Sequence, residues 1–232
     1  MIPLADRPRS HADVSIPADR VQLSGELHIP PRASGVVAFA HGSGSSRLSP
    51  RNRFVARELQ KAGLATLLMD LLEEDEAQDR DKVFDIELLA SRLLSALHWL
   101  GNNPATRSLR IGYFGASTGA AAALMAAARE PAKVSALVSR GGRPDMALSW
   151  LSKVKAPTLL IVGAHDAQVL DWNEDAYRHL TTDKELVIVP GATHLFEEPG
   201  ALEAVAQHAC RWFVRYLSPG AVRSGAAAQA HS

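Results

Sequence analysis

The stretch Ile111-Gly112-Tyr113-Phe114-Gly115-Ala116-Ser117-Thr118-Gly119-Ala120-Ala121-Ala122 constrains the fold more than any other. An apolar, β-prone run stops at Gly115, and an Ala-rich, helix-prone run begins after Ser117. Between them lies Gly-x-Ser-x-Gly, the pattern of a serine set on a sharp turn from strand to helix. The two glycines lack Cβ atoms, so the backbone can turn tightly and the helix can pack close to the strand. Ser117 Oγ is then pushed out of the sheet edge. It stands at a helix N-terminus, whose free N–H groups favour developing negative charge. The bare pattern also arises by chance; the strand before it and the helix after it give it weight.

The same rhythm runs along the chain. Apolar runs at residues 35–40, 64–72, 109–114, 134–138, 158–162 and 185–189 read as strands, the continuous ones buried on both faces. Helices fall between them. Ser49-Pro50 opens one that carries Val55, Leu59 and Ala62 on a single face and stops at Gly63. Ile86, Leu89, Ala90, Leu93, Leu97 and Leu100 mark a second, ending at Gly101-Asn102-Asn103-Pro104. A third follows Ser117 to about residue 129, a short one follows Pro144, and another runs through residues 172–180. The last carries Leu202, Val205, Ala206, Ala209, Phe213 and Leu217 on one stripe. Ahead of all these, residues 14–16 and 21–29 read as an antiparallel hairpin joined through Pro17-Ala18-Asp19. The acidic run Glu73-Glu74-Asp75-Glu76 reads as a solvated loop. Six strands alternating with helices predict an α/β, doubly wound, mostly parallel sheet with an N-terminal antiparallel hairpin. No repeat or linker divides it. The expected organisation is a flexible N-terminus over 1–10, one domain over 11–217, and a disordered Ala/Gly/Ser-rich tail over 218–232.

Composition narrows the partners. Lys plus Arg and Asp plus Glu each number 25, so no net field favours nucleic acid or an anionic membrane. No apolar run is long enough to span a bilayer, and the N-terminus has no apolar signal core, so a cytoplasmic location is expected. The single cysteine, Cys210, excludes an internal disulfide framework and adjoins the last helix's apolar stripe, as a buried structural thiol would. The histidines and carboxylates lack metal-ligand spacing such as His-x-x-x-His, so no metal is expected.

In a sheet of this kind, functional loops lie at the carboxyl ends of the strands. The serine needs a base, and His194 follows the last strand in a Gly-x-x-His-x-Phe setting. That histidine needs an anion to fix its tautomer, and Asp166 follows the preceding strand. Asp145, one strand earlier, is its rival. The N–H groups of Thr118, after the nucleophile, and of Ser43, after His41-Gly42, are candidates for holding a tetrahedral oxyanion. His41 reads as a brace for that loop, and His165 as a neighbour of Asp166 pointing elsewhere.

The order Ser117, Asp166, His194 is that of the α/β-hydrolases. With His41-Gly42, Gly115-Ala116-Ser117-Thr118-Gly119, Gly163-Ala164-His165-Asp166-Ala167-Gln168-Val169 and Gly191-Ala192-Thr193-His194, the chain resembles that superfamily. It is most similar to the dienelactone-hydrolase-like branch. The quoted motifs span residues 41–194, and the strand–helix order extends the match to about 217. One departure matters: dienelactone hydrolases proper use a cysteine nucleophile, and Ser117 stands in its place here. The resemblance therefore implies a carboxylesterase-like serine hydrolase acting on small or medium esters through an acyl-enzyme.

No cofactor is implied. The expected partner is a small-molecule ester, with the protein a monomer or homodimer. The same three residues would also serve a thioesterase, a lactonase or a carbon–carbon bond hydrolase. A ligand-binding protein that kept the fold without turnover is the rival from another class. Only one short helix separates the strands at 134–138 and 158–162, too little for a cap domain, so an open site is expected. Arg47 and Arg140 follow strand ends on that side and are candidates for binding a substrate carboxylate.

Overall fold

A strand that is apolar at every position must be covered on both faces. The strands β3 (Gly35–Ala40), β4 (Ala65–Met69) and β7 (Thr158–Gly163) are buried throughout, and β5 (Arg110–Ala116) and β6 (Val134–Arg140) nearly so. The computed structural model describes residues 10–219. With β1 (Ser10–Ala18), β2 (Val21–Ile29) and β8 (Lys184–Val189), these strands form one eight-stranded sheet, ordered β1-β2-β4-β3-β5-β6-β7-β8. The hairpin pair and β2–β4 are antiparallel, and every other pair is parallel.

Helices α1 (Pro50–Lys61) and α6 (Ala201–Leu217) cover one face, around a core of Phe39, Phe114, Val138, Ile161 and Phe213. On the other face lie α3 (Ile86–Asn102), α4 (Thr118–Arg129) and a 3-10 stretch (Pro144–Lys153), against which α5 (Ala167–His179) packs. Local chemistry sets the helix starts. Ser49 accepts a bond from the Asn52 N–H with Pro50 in the first turn, and Asp85 caps α3 through the Leu88 N–H. Thr118 to Ala128 of α4 are all buried, which explains its alanines: a helix enclosed on all sides has room only for small residues.

The sheet order carries the functional consequence. From β3 the chain passes through α1 to β4 on one side, then returns through α3 to β5 on the other. The loops after β3 and β5 diverge from adjacent strands, which opens a crevice at the carboxyl edge. Among the described residues no cap domain covers it, since β6 and β7 are joined by little more than the ten-residue 3-10 stretch.

The structure amends the sequence reading in three places. Strand β1 is longer than expected and runs through Pro17; it pairs only with β2, so the missing N–H faces an open edge. Ser10 already pairs with Ile29, while residues 1–9 and 220–232 of the two expected flexible ends lie outside the described residues. Of the acidic run, Glu73 to Asp75 are exposed loop residues, but Glu76 is not. Glu76 opens a single 3-10 turn (Glu76–Gln78), before α2 (Arg80–Phe84), and accepts from Arg92 Nη2 at 3.1 Å. Arg92, 5 % exposed, also donates to the Ala18 carbonyl at 2.6 Å and so ties α3 to the hairpin.

Candidate active site

At the end of β5 the backbone turns at Ser117 with φ 51° and ψ −123°, left-handed territory that a residue with a Cβ avoids. Such strain costs on the order of 1–3 kcal/mol and persists only where neighbours hold it. Here the loop after β6 holds it from both sides. The Ser117 N–H donates to the Arg140 carbonyl at 3.2 Å, and the Ser117 carbonyl accepts from the Arg143 N–H at 3.1 Å. The flanking glycines are required by contact. A Cβ on Gly115 would lie 2.4 Å from Ala120 Cα, and one on Gly119 would lie 2.3 Å from the Ala40 carbonyl oxygen. The loop after β3 meets Ser117 closely too, with Gly42 against its Cβ.

Asp166 and His194 come from the loops after β7 and β8. Those loops are lashed together by two backbone bonds, Ala164 N–H to the Val189 carbonyl and His165 N–H to the Ala192 carbonyl, at 3.0 and 2.9 Å. Gly163 lets them close up, because a Cβ there would sit 2.3 Å from the Ala192 oxygen. Asp166 Oδ2 lies 2.6 Å from His194 Nδ1. Although Asp166 occupies the N-cap position of α5, its carboxylate makes no cap bond and is left for the histidine. The contact puts the proton on Nδ1 and leaves Nε2 free to act as a base. His165 is exposed.

Asp145 is placed differently. Arg143 Nε and Nη2 grip both its oxygens at 2.9 and 2.8 Å, and the same guanidinium stacks 4.1 Å above Trp172. That pairing raises the Arg143 pKa and removes Asp145 from contention for His194.

Two further groups are more engaged than sequence alone suggested. The Ser43 N–H donates to Thr118 Oγ1 at 2.9 Å, so in the resting structure the threonine side chain fills that donor. The Thr118 N–H heads α4, where no intrahelical acceptor exists for it. His41 Nε2 accepts from the Leu71 N–H at 3.1 Å, which leaves Nδ1 to donate to the Gly42 carbonyl at 3.0 Å. Burial lowers its pKa, more strongly than the Gly42 carbonyl and Asp70 raise it. A neutral His41 therefore braces the β3 loop against the end of β4.

The two candidate arginines diverge. Arg47 is taken up by Asp70, which accepts from both its backbone N–H (2.7 Å) and its Nη1 (2.5 Å). Arg140 is only 8 % exposed, its guanidinium lies 5.7 Å from the Phe196 ring centre, and no carboxylate among the described residues pairs with it. Sequence reasoning missed this burial and the link from Arg51 Nη1 to Glu197 Oε1 at 3.0 Å. The one available signal was a cation placed directly at the end of an apolar strand.

Among the described residues no group of three or more His, Cys, Asp or Glu is placed to hold a metal, and no helix is long and apolar enough to cross a membrane. Partly buried Cys210 packs against the α1/α6 core, and burial raises its thiol pKa to about 11.

A parallel sheet with an antiparallel hairpin, a strained serine at a strand-to-helix elbow and no cap define a compact α/β hydrolase. The chain belongs to the dienelactone hydrolase family, whose pattern matches residues 24–218. It is 60% identical to a dienelactone hydrolase from Anabaena variabilis of known crystal structure, with a TM-score of 0.88 over 90% of this chain and 99% of that one. The fold also matches Est1E from Butyrivibrio proteoclasticus, at 17% identity and a TM-score of 0.76 over 87% and 97% of the two chains. A Mycobacterium tuberculosis protein with a provisional phosphoribosyl-transferase name is 55% identical over 217 residues. That match takes in 93% of this chain, and the chain spans about half the length of the curated relatives it matches.

Proposed function

We propose that this hydrolase cleaves small or medium carboxylic esters through an acyl-enzyme formed on Ser117. The observation that carries the reading is the 2.6 Å contact from Asp166 Oδ2 to His194 Nδ1, made beside a serine held in a strained elbow. Ser117 Oγ bonds to the acyl carbon while His194 Nε2 takes its proton, and Asp166 stabilises the imidazolium. The carbonyl electron pair moves to oxygen, where the N–H groups of Thr118 and Ser43 meet it. For Ser43 to donate, the Thr118 hydroxyl must turn away and yield its place to the oxyanion. The intermediate then expels the alkoxide, which receives the proton from His194. Water, deprotonated by the same nitrogen, attacks the acyl carbon, and Ser117 Oγ leaves with the proton returned by His194 as the carboxylic acid forms.

No cofactor takes part. The intact set of parts argues against a binding protein without turnover. Thioesters, lactones and carbon–carbon bonds remain rival substrates for the same residues. The phosphoribosyl-transferase name belongs to relatives about twice this chain's length, and nothing in the elbow or its partners suggests that chemistry here. Short-chain 4-nitrophenyl esters test the proposal. Ser117→Ala should keep the fold and lose roughly 10³-fold or more in kcat. If that variant retains most of the turnover, the proposal is wrong.

A further inference from the structure

Asn173 is fully buried in the middle of α5, where an asparagine is a poor choice. Its amide competes with the helix backbone for hydrogen bonds, and once taken out of water it must satisfy both its donor and its acceptor end. Only the donor end is satisfied here. Nδ2 donates to the Val169 carbonyl at 2.8 Å and to the Gly142 carbonyl at 3.0 Å, while Oδ1 is buried with no hydrogen-bond partner among the described residues. A buried acceptor left in that state costs stability. An apolar side chain of similar size would fill the same space without that cost, so packing alone does not account for the amide.

The two bonds differ in where they lead. The one to Val169 stays inside the helix, in the i to i−4 pattern. The one to Gly142 crosses to the loop after β6, on which both reacting side chains lean. On one side of Gly142, the Arg143 N–H holds the carbonyl of the strained Ser117 at 3.1 Å. On the other, Gly141, at φ 51°, adjoins the His194 ring, and a Cβ there would stand 3.4 Å from Nδ1 and Cε1. Two glycines in succession give this stretch little stiffness of its own. It is tied from outside instead, Gly141 through its N–H to the Ile161 carbonyl at 2.8 Å and Gly142 through its carbonyl to Asn173. The helix that supplies this tie is the one Asp166 heads, and Asn173 follows Asp166 by about two turns, on the same face.

We propose that Asn173 is a positioning residue for the catalytic groups. Its bond to the Gly142 carbonyl fixes the loop after β6 to the helix that carries Asp166, and so keeps the Ser117 elbow and the His194 ring in register. This assignment rests on the ester-hydrolase reading above and adds to it a residue that touches neither substrate nor the reacting atoms.

Three replacements separate the Gly142 bond from packing. Asn173→Leu keeps the volume and removes both bonds. Asn173→Thr keeps a bond to the Val169 carbonyl, because a threonine hydroxyl reaches its own i−4 carbonyl, but it is too short for Gly142. Asn173→Gln keeps the amide on a longer stem. Each variant is titrated to completion with a fluorophosphonate, so that kcat on 4-nitrophenyl acetate is counted per competent site. That kcat should fall by roughly 10- to 100-fold in Asn173→Leu and Asn173→Thr alike, as expected for a small misplacement of the reacting groups. KM should stay within about twofold of the native value, since no contact with substrate is lost. The rate of fluorophosphonate labelling should fall with kcat, and Asn173→Gln should recover part of both. The melting temperature of Asn173→Leu should remain close to the native one.

A packing role gives the opposite order: native kcat per site in Asn173→Leu, and the largest loss in the overfilled Asn173→Gln. That order would overturn the proposal, as would native kcat in Asn173→Thr or an effect confined to KM. If Asn173→Leu does not fold, the remaining pair decides, and Asn173→Thr must be the slower of the two. Failure of the ester-hydrolase reading would look different: a native protein that neither hydrolyses the ester nor reacts with the fluorophosphonate, which would remove both.

Discussion

Two carboxylates follow neighbouring strands at the same sheet edge, Asp145 after β6 and Asp166 after β7, and their surroundings assign them opposite work. Asp145 is gripped by both arms of the Arg143 fork, and that fork is itself fixed over Trp172. Asp166 makes neither an ion pair with arginine nor a helix cap, and one oxygen meets His194 at 2.6 Å. A carboxylate neutralised by a guanidinium stabilises a loop; one facing an imidazole can fix its tautomer and support its charge. The arginines repeat the lesson. Arg143 and Arg47 are paired and hold loops, while Arg140 is buried and left without an anion. Of the two carboxylates, only the one that no guanidinium pairs faces the imidazole.

The strongest way to break the comparison is to neutralise each carboxylate. Asp166→Asn should lower kcat on a neutral ester by on the order of 10³- to 10⁴-fold, because the amide no longer supports the imidazolium or its tautomer. Asp145→Asn should change kcat by no more than about threefold and reduce stability by about 1 kcal/mol or less, as expected for a partly exposed pair. Equal losses of activity in the two variants would mean that His194 draws on both groups.

Much of this contrast was legible in the sequence, but not all of it. Gly115, Ser117 and Gly119 announce the elbow because their spacing is local and the contacts they serve are backbone contacts within a few residues. Asp166 and His194 were found by chain order, since each follows a strand in a fold whose functional edge is known in advance. Chain order puts Asp166 ahead of its rival Asp145, but the grip of Arg143 on Asp145 is a contact that no spacing records. The bond from Ser43 N–H to Thr118 Oγ1 joins residues 75 apart, and no periodicity records it. Glu76 was misread for the same reason. Its partner Arg92 lies on a separate helix, so a run of acidic residues looked solvated when one of them is clamped.

Access offers a smaller effect. With only the 3-10 stretch between β6 and β7, no described element builds a deep tunnel for long acyl chains. Kcat/KM for 4-nitrophenyl esters should therefore be highest for acetate to hexanoate, and should not rise when longer substrates are presented as emulsions. A steep rise at a lipid interface would contradict the open edge described here.

The smallest effect concerns His41, the paired counterpart to His194. Its pKa is lowered in the fold by burial, so the unfolded chain binds a proton more readily than the folded one. Stability attributable to this site is intact above the unfolded value near 6.5 and declines as pH falls below it, until the folded group protonates as well. Thermal melts between pH 7.5 and 5 should show a shallower loss for His41→Asn than for the native chain. Parallel curves would remove His41 from the set of neutral, partly buried braces.

The central claim is that Ser117, activated by the His194–Asp166 pair, is the nucleophile. Intact-protein and peptide mass spectrometry after treatment with a fluorophosphonate tests this most directly. The account predicts one adduct per chain, on Ser117, with labelling slowed in Asp166→Asn, unaffected in Asp145→Asn and absent in Ser117→Ala. An unlabelled native protein that still hydrolyses esters, or an adduct on any other residue, would contradict it.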